Sequence, residues 1–115
     1  MKKTVMIKKN YEFKNLFSKG KFYYGNSINM YIKISNSNFN KLGIAVSKKQ
    51  GKAVKRNRVK RLIRENYKLL EDNIKNGISI LVIINKKKKI DDIEFYEIKE
   101  DFIKILNKSN VLIKN

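Results

Sequence analysis

The chain has 115 residues, a length typical of one domain, and its 28 Lys and Arg residues against 10 Asp and Glu give a formal net charge of +18. It contains no cysteine and no histidine, which excludes disulfides and acid–base catalysis by imidazole and leaves zinc without its two favoured ligand types. No run of about 18 apolar residues occurs, so a membrane span is excluded and a cytoplasmic location is expected.

The excess of positive charge indicates a polyanionic partner. Basic groups that neutralise phosphates release condensed counterions, and they bind nucleic acid without reading its sequence. A membrane surface is the other common partner, but no lipidation motif is present. With 42% apolar residues the chain can still bury a core. The composition therefore favours a folded nucleic-acid-binding protein with no membrane partner.

The first predicted elements are a basic N-terminal arm over residues 1–9 and a short helix over residues 11–19. Asn10 is placed as the N-cap of this helix, and Gly20 lies just beyond its end. One apolar stripe at helical spacing is formed by Phe13, Leu16 and Phe17.

Three strands are predicted next, over residues 22–24, 28–34 and 41–47, and we expect them to form an antiparallel meander. The second strand alternates with period two, and one of its sides carries Ile28, Met30, Ile32 and Ile34. Tyr31 faces the opposite side, between the polar Asn29 and Lys33.

The basic tract that begins at Lys48 then changes to helical period. Its apolar positions share one face, formed by Val59, Leu62, Ile63, Tyr67 and Leu70. Beyond Gly77, the continuous apolar run ISILVII is typical of a central strand that is covered on both faces.

The last part of the chain is predicted as a loop over residues 86–89, a helix and a short basic tail over residues 107–115. Asp91 and Asp92 offer a cap for this helix, whose apolar positions are Phe95, Ile98, Phe102, Ile105 and Leu106. The order helix, three strands, helix, strand, helix predicts a single two-layer α+β domain over residues 1–115, built around a mixed four-stranded sheet.

The second helix carries the strongest candidate site. At about 100° per residue, Asn57, Arg61 and Arg64 lie opposite the apolar face. Residues 48–64 contain nine basic and no acidic residues, whereas a merely solvated surface usually alternates in charge sign. The predicted RNA-binding residues are Lys48, Lys49, Lys52, Lys55, Arg56, Asn57, Arg58, Lys60, Arg61, Arg64 and Lys68.

Aromatic residues form a second candidate surface. Phe13, Phe17 and Tyr31 are able to stack on unpaired bases beside cationic groups. The alternative is that the two phenylalanines pack the first helix onto the sheet, and the spacing alone favours this core role.

The acidic residues near the last helix offer one candidate metal site. Asp91, Asp92 and Glu94 could converge on Mg²⁺, but capping and a favourable helix dipole explain them more simply. We therefore predict no metal bound by the protein and no catalytic residue in it.

The string SKKQGKAVKRNRVKRLIRENY closely resembles the signature of the bacterial ribonuclease P protein component. KKNYEFKNLFSKG resembles the first helix of that family, and KLGIAVSKK resembles its third strand. The resemblance covers residues 8–67, and it extends to the rest only by element order. The arm carries Val5, Met6 and Ile7 where the family is often more basic.

This resemblance implies a function. The ribonuclease P RNA would hydrolyse precursor tRNA with Mg²⁺, and the protein, a monomer, would bind that RNA through the basic helix and loop. By similarity, a cleft for the single-stranded 5′ leader is lined by Phe13, Phe17, Tyr31 and Lys48. Two alternatives stay open, a small ribosomal or other structural RNA-binding protein and a DNA-binding protein that reads the major groove with the second helix.

Overall fold

The computed structural model describes residues 3–113. Its strands are β1 Thr4–Met6, β2 Lys21–Tyr23, β3 Ile28–Ile34, β4 Asn40–Ala45 and β5 Ile78–Ile84. Its α-helices are α1 Asn10–Lys19, α2 Ala53–Leu70 and α3 Phe95–Lys108. Single 3₁₀ turns cover Lys48–Gln50, Glu71–Asn73 and Ile90–Asp92. The ends of the predicted arm and tail, residues 1–2 and 114–115, lie outside the described residues.

The strands form one mixed sheet in the order β1-β4-β5-β3-β2. β5 lies in the middle, parallel to β4 and antiparallel to β3, which confirms the central strand predicted from its apolar run. Its residues are buried except Ser79 and Ile83, which are half-buried. The α+β class and the mixed sheet are confirmed.

Two predictions about the sheet are wrong. It has five strands rather than four, because residues 4–6 of the predicted arm form β1 and pair in parallel with β4. The predicted meander does not form either, since β4 pairs with β5 and β1 instead of β3. In the described chain, β2 and β3 are the pair that follows the predicted antiparallel order.

The helices cover the two faces of the sheet unequally. α2 and α3 bury the larger core on one face, where Met30, Ile63 and Phe102 are fully buried. On the other face α1 buries a small cluster that contains Leu16 and Leu81. Because α1 has only ten residues, it covers part of that face and leaves concave surfaces on both of its sides.

Local details differ from three predictions. Asn10 is the first residue of α1, and the N-cap is Lys9, with no side-chain hydrogen bond. Asp91 and Asp92 lie in a 3₁₀ turn, and α3 begins after Glu94. Ile34 ends β3 beyond the last residue that pairs with β2, Ile32, and is 67% exposed.

Candidate nucleic-acid interface

α2 presents the predicted basic side to solvent. Its apolar residues Val59, Ile63 and Tyr67 are fully buried against the sheet and α3. The opposite side, which we call the α2 face, is exposed or half-buried and consists of Asn57, Arg61, Arg64 and Lys68, with Lys60 at its margin. Burial of the apolar stripe thus fixes this cationic row outward.

Several of the predicted basic residues make contacts within the chain. The Arg58 guanidinium donates to the carbonyl of Ile93 at 3.0 Å and lies 3.7 Å from the Glu94 carboxylate. Lys55 pairs with Asp91 at 2.8 Å. Residues 48–64 contain no acidic residue, but in the fold Asp91 and Glu94 lie next to them. These contacts join residues that are far apart in the sequence, so the sequence pattern does not show them. Part of what Arg58 and Lys55 do is structural.

Arg56 has a similar local role at the start of α2. Its guanidinium donates to the carbonyl of Gly51 at 2.7 Å, which closes the loop onto the first turn of the helix. Just before it, the Ser47 N–H donates to the Gln50 side chain at 3.0 Å and holds the 3₁₀ turn. Lys48 and Lys49 are exposed on that turn. The loop is thus ordered and presents its lysines to solvent.

A cleft of about 720 Å³, which we call the aromatic cleft, opens between α1, the sheet, the 3₁₀ turn before α2 and Lys60 of α2. Phe13 and Phe17 of α1 line it, and Phe17 is 44% exposed. Across the cleft lie Ile44, Ala45, Val46, Ser47, Gln50, Lys60, Ile83, Ile84 and Lys86, and α1 adds Asn10 and Lys14. The two phenylalanines therefore bound an open groove as well as packing α1.

Two of the predicted cleft residues stand outside the lining. Tyr31 lies behind Phe17, with their ring centroids 4.9 Å apart in an edge-to-face arrangement, and its ring also contacts Phe22. Lys48 follows Ser47 at the margin. Sequence analysis missed Lys14 and Lys86, although Lys14 shares the spacing of Phe13 and Phe17 on α1.

The lysines of residues 86–89, predicted only as a loop, face the loop before α2. Together the two segments enclose a hollow of about 470 Å³. The lysines in its lining are Lys49, Lys52, Lys55, Lys86, Lys88 and Lys89. Gln50 and Lys86 also line the aromatic cleft, so this hollow continues it. The cationic surface is thus larger than the predicted helix and loop.

A metal-binding cluster and a membrane-spanning helix are both absent from residues 3–113. That segment contains no group of three or more His, Cys, Asp or Glu side chains able to hold a metal. Within the same segment, none of the helices has the length and apolar character needed to span a bilayer.

Comparison with known proteins decides the family. The family model described as Ribonuclease P matches residues 1–110. The chain belongs to the ribonuclease P protein family. A ribonuclease P protein component of Thermoanaerobacter sp. (strain X514) is 40% identical over 114 residues, which cover 99% of this chain and 97% of that protein. The resemblance found in the signature is therefore confirmed along almost the whole chain.

Solved ribonuclease P proteins have the same fold. The Staphylococcus aureus protein matches with a TM-score of 0.79 and 34% identity, covering 92% of this chain and 95% of its own. The Thermotoga maritima protein matches with a TM-score of 0.78 and 26% identity, covering 90% and 96%. Membership of the ribonuclease P family makes this chain the protein component of a ribonucleoprotein endoribonuclease, associated with ribonuclease P RNA.

Proposed function

We propose that the chain binds the catalytic RNA of ribonuclease P through the α2 face and holds the 5′ leader of precursor tRNA in the aromatic cleft. The observation that carries the proposal is the position of the cleft directly beside the basic helix α2, whose Lys60 lines the cleft. Such an arrangement suits one protein that contacts two RNA molecules at once.

The α2 face supports RNA docking by its charge and its exposure. Arg61 and Lys68 are exposed and Arg64 is half-buried, and guanidinium groups match phosphate geometry with two parallel hydrogen bonds. Arg61 is 3.8 Å from Glu65 on the same helix, an exposed pair of the kind that contributes little to stability. Phosphates can therefore replace that contact easily.

The aromatic cleft supports binding of a single strand. Phe13 and Phe17 offer ring faces or edges to unpaired bases, each stack contributing about 1–3 kcal/mol regardless of base identity. Lys14, Lys60 and Lys86 stand around them and can neutralise the backbone. Sequence-tolerant binding is what leaders of different sequence require.

Hydrolysis is assigned to the RNA in this proposal. Mg²⁺ held by the RNA supplies metal-assisted attack of water on the phosphodiester bond. The carboxylates of Asp91 and Glu94 form ion pairs with Lys55 and Arg58. The protein's own part is to bind, to orient the leader and to offset phosphate repulsion, which lowers the Mg²⁺ concentration that the reaction needs.

The proposal includes a monomeric protein in the cytoplasm. A small ribosomal or other structural RNA-binding protein would share the charge and the α2 face, but it would have no use for a cleft that favours leader-bearing tRNA. A major-groove DNA reader would favour duplex DNA over structured RNA. A preference for leader-bearing over mature tRNA distinguishes the proposal from the first alternative, and a preference for structured RNA over duplex DNA distinguishes it from the second.

Reconstitution tests the proposal directly. The protein is mixed with a bacterial ribonuclease P RNA at low Mg²⁺, and cleavage of a precursor tRNA is followed on a gel. We expect cleavage at the mature 5′ end that requires both components, with the RNA alone becoming active only at higher Mg²⁺. Tight RNA binding without any stimulation over RNA alone would overturn the proposal in favour of a structural RNA-binding protein.

A further inference from the structure

α1 separates two concave surfaces over the same face of the sheet. Residues 10, 13, 14 and 17 line the aromatic cleft, whereas residues 11, 12, 15 and 16 line a second pocket of about 330 Å³, which we call the Tyr11 pocket. The two sets of lining residues have no member in common. The volume lies at the lower end of the range for small-molecule sites, about 300–1,000 Å³. The Tyr11 pocket is thus a separate site.

The floor of the Tyr11 pocket is cationic. Lys33, Ser79 and Lys41 lie side by side on β3, β5 and β4, because Ser79 is the register partner of both lysines. α1 holds both ammonium groups from above: Lys33 Nζ donates to Asn15 Oδ1 at 3.0 Å, and Lys41 Nζ lies 3.3 Å from Glu12 Oε2. Two cations therefore face one carboxylate.

The ammonium group of Lys33 has no negatively charged partner among residues 3–113. Lys33 is half-buried, yet its side-chain partner is the neutral Asn15, and in residues 3–113 no carboxylate lies within 4.0 Å of its ammonium. A half-buried charge is costly unless it is paired, and an ammonium has three donors. A phosphate above Lys33 and Lys41 would supply both the missing charge and the acceptors.

Exposed aromatic rings and hydroxyls complete the pocket. Tyr11 is 66% exposed and Phe39 is 44% exposed, and both contribute to the lining. Ser35 and Ser37 add hydroxyl groups from the loop after β3. Aromatic faces next to cations hold nucleobases, and serines and lysines hold the phosphate.

We propose that the Tyr11 pocket binds one nucleotide, with its phosphate on Lys33 and Lys41 and its base against Tyr11 or Phe39. Glu12 and Asn15 are placed to hydrogen-bond the sugar or the base edge. Such a nucleotide has two possible sources, a free mononucleotide or one residue of a single-stranded RNA. The chemistry that recognises it is the same in both cases.

Nuclear magnetic resonance tests the proposal with the whole protein. 5′-AMP is titrated into ¹⁵N-labelled protein, and we expect saturable shifts of the Lys33, Ser79 and Ser35 amides, with adenosine binding much more weakly. Lys33→Gln should weaken 5′-AMP binding roughly tenfold, the effect of losing one charge-assisted hydrogen bond. Lys104→Gln, the same charge change on the exposed side of α3, should leave it unchanged.

Two results of this titration would overturn the proposal. Shifts confined to the amides of the aromatic cleft, or equal loss of affinity in the Lys33 and Lys104 variants, would overturn the proposal, because they indicate a different site or unspecific charge attraction. If the Lys33 variant does not fold, Lys41→Gln is read in the same way. The side chain of Lys41 is 39% exposed, so its substitution removes little packing.

A second arm separates the two sources. A tetra-adenylate is titrated in place of 5′-AMP. Tighter binding with Lys33-dependent shifts in the Tyr11 pocket supports an RNA residue as the occupant, and shifts in the aromatic cleft alone support a free mononucleotide. Since no ribonuclease P RNA is present, this result does not depend on the proposed function. Failed reconstitution with intact 5′-AMP binding would overturn only the proposed function.

Discussion

Asp101 ties α3 to the loop between β2 and β3. Its carboxylate is 1% exposed and accepts three backbone N–H groups, from Asn26 at 2.8 Å, Ser27 at 2.8 Å and Ile28 at 3.0 Å. Ser27 and Ile28 are buried, so two of these N–H groups would otherwise lack a hydrogen-bond partner.

Asp101→Asn is expected to destabilise the protein by about 2–3 kcal/mol. The amide keeps one neutral acceptor oxygen and turns an N–H₂ donor towards the same N–H groups, so all three lose a charged acceptor and at least one loses its acceptor altogether. Urea unfolding measures the change, with Glu100→Gln on the exposed side of the same helix as the control, expected within about 0.5 kcal/mol of the parent. Equal stability of both variants would contradict this role.

Substitution of Phe17 tests whether the aromatic cleft binds the 5′ leader. Because it is 44% exposed, Phe17→Ala should leave most of the folding free energy intact. Loss of one base stack should weaken binding of leader-bearing tRNA by about 1–3 kcal/mol, while mature tRNA binds as before. Affinities of both tRNAs for the reconstituted holoenzyme measure this. Tyr96→Ala, an exposed aromatic on α3, is the control, and parallel loss for both tRNAs in the Phe17 variant would indicate core damage instead.

In α2, the arginines that pack within the protein differ from those available to bind RNA, so the two roles can be tested separately. Its arginines divide into two kinds: Arg56 and Arg58 donate to carbonyls of the chain itself, whereas Arg61 and Arg64 stand on the α2 face. Substituting Arg58 therefore mixes lost packing with lost RNA contact. Arg61 and Arg64 therefore give the cleaner measurement of RNA contact.

The double variant Arg61→Ala, Arg64→Ala should weaken binding of ribonuclease P RNA and lower the slope of log affinity against log salt by about 2, since each lost phosphate contact removes about one released counterion. Filter binding across a salt series measures the slope. Lys99→Ala with Lys104→Ala on α3 removes the same charge away from the α2 face. A similar loss of slope in this control would show that only the net charge matters.

β1 is held to the rest of the fold by a short hydrogen-bond chain. The Thr4 hydroxyl donates to Glu71 Oε2 at 2.6 Å and lies 2.7 Å from the hydroxyl of Tyr67, which is fully buried. Burial is the main cause that raises the pKa of Tyr67 above its ordinary value near 10, although the Thr4 hydrogen bond opposes it. The protonated form is therefore favoured in the folded state.

This raised pKa predicts a pH dependence. Below about pH 10 the contribution of Tyr67 to stability is fully present, and it is lost as the pH rises through the higher folded pKa, because the unfolded chain releases the proton first. Urea unfolding at several pH values from 9 to 12 should show a steeper loss of stability for the parent than for Tyr67→Phe. Parallel curves would show that Tyr67 titrates normally in the folded state.

The sequence predicted elements better than their pairing. The alternation of β3 and the apolar run of β5 each reflect burial that is local in sequence, so both strands and the central place of β5 were predicted correctly. β1 has three residues, too few for a visible period, and its partner β4 begins 36 residues later. Likewise, the pairing of Lys55 with Asp91 joins distant residues, and no spacing rule predicts it.

At the scale of the whole molecule, 28 basic and 10 acidic residues give a small protein a net charge of +18. Five ion pairs within 4.0 Å are present in residues 3–113, and all involve partly exposed side chains that contribute about 0–1 kcal/mol each. The greater part of the positive charge is therefore balanced only by solvent and counterions. Self-repulsion lowers the stability of such a compact state.

Added salt should accordingly stabilise the free protein. Raising NaCl from about 0.01 M to 0.15 M shortens the screening length from roughly 30 Å to 8 Å, which is less than the 24 Å shortest dimension of the molecule. Screening then removes repulsion across the whole surface, whereas the short contacts of the five ion pairs lose little. The thermal midpoint, followed by circular dichroism, should rise over this range, and a fall would show that the ion pairs outweigh the repulsion. The same salt weakens RNA binding, so opposite trends in stability and affinity are expected from a single cause.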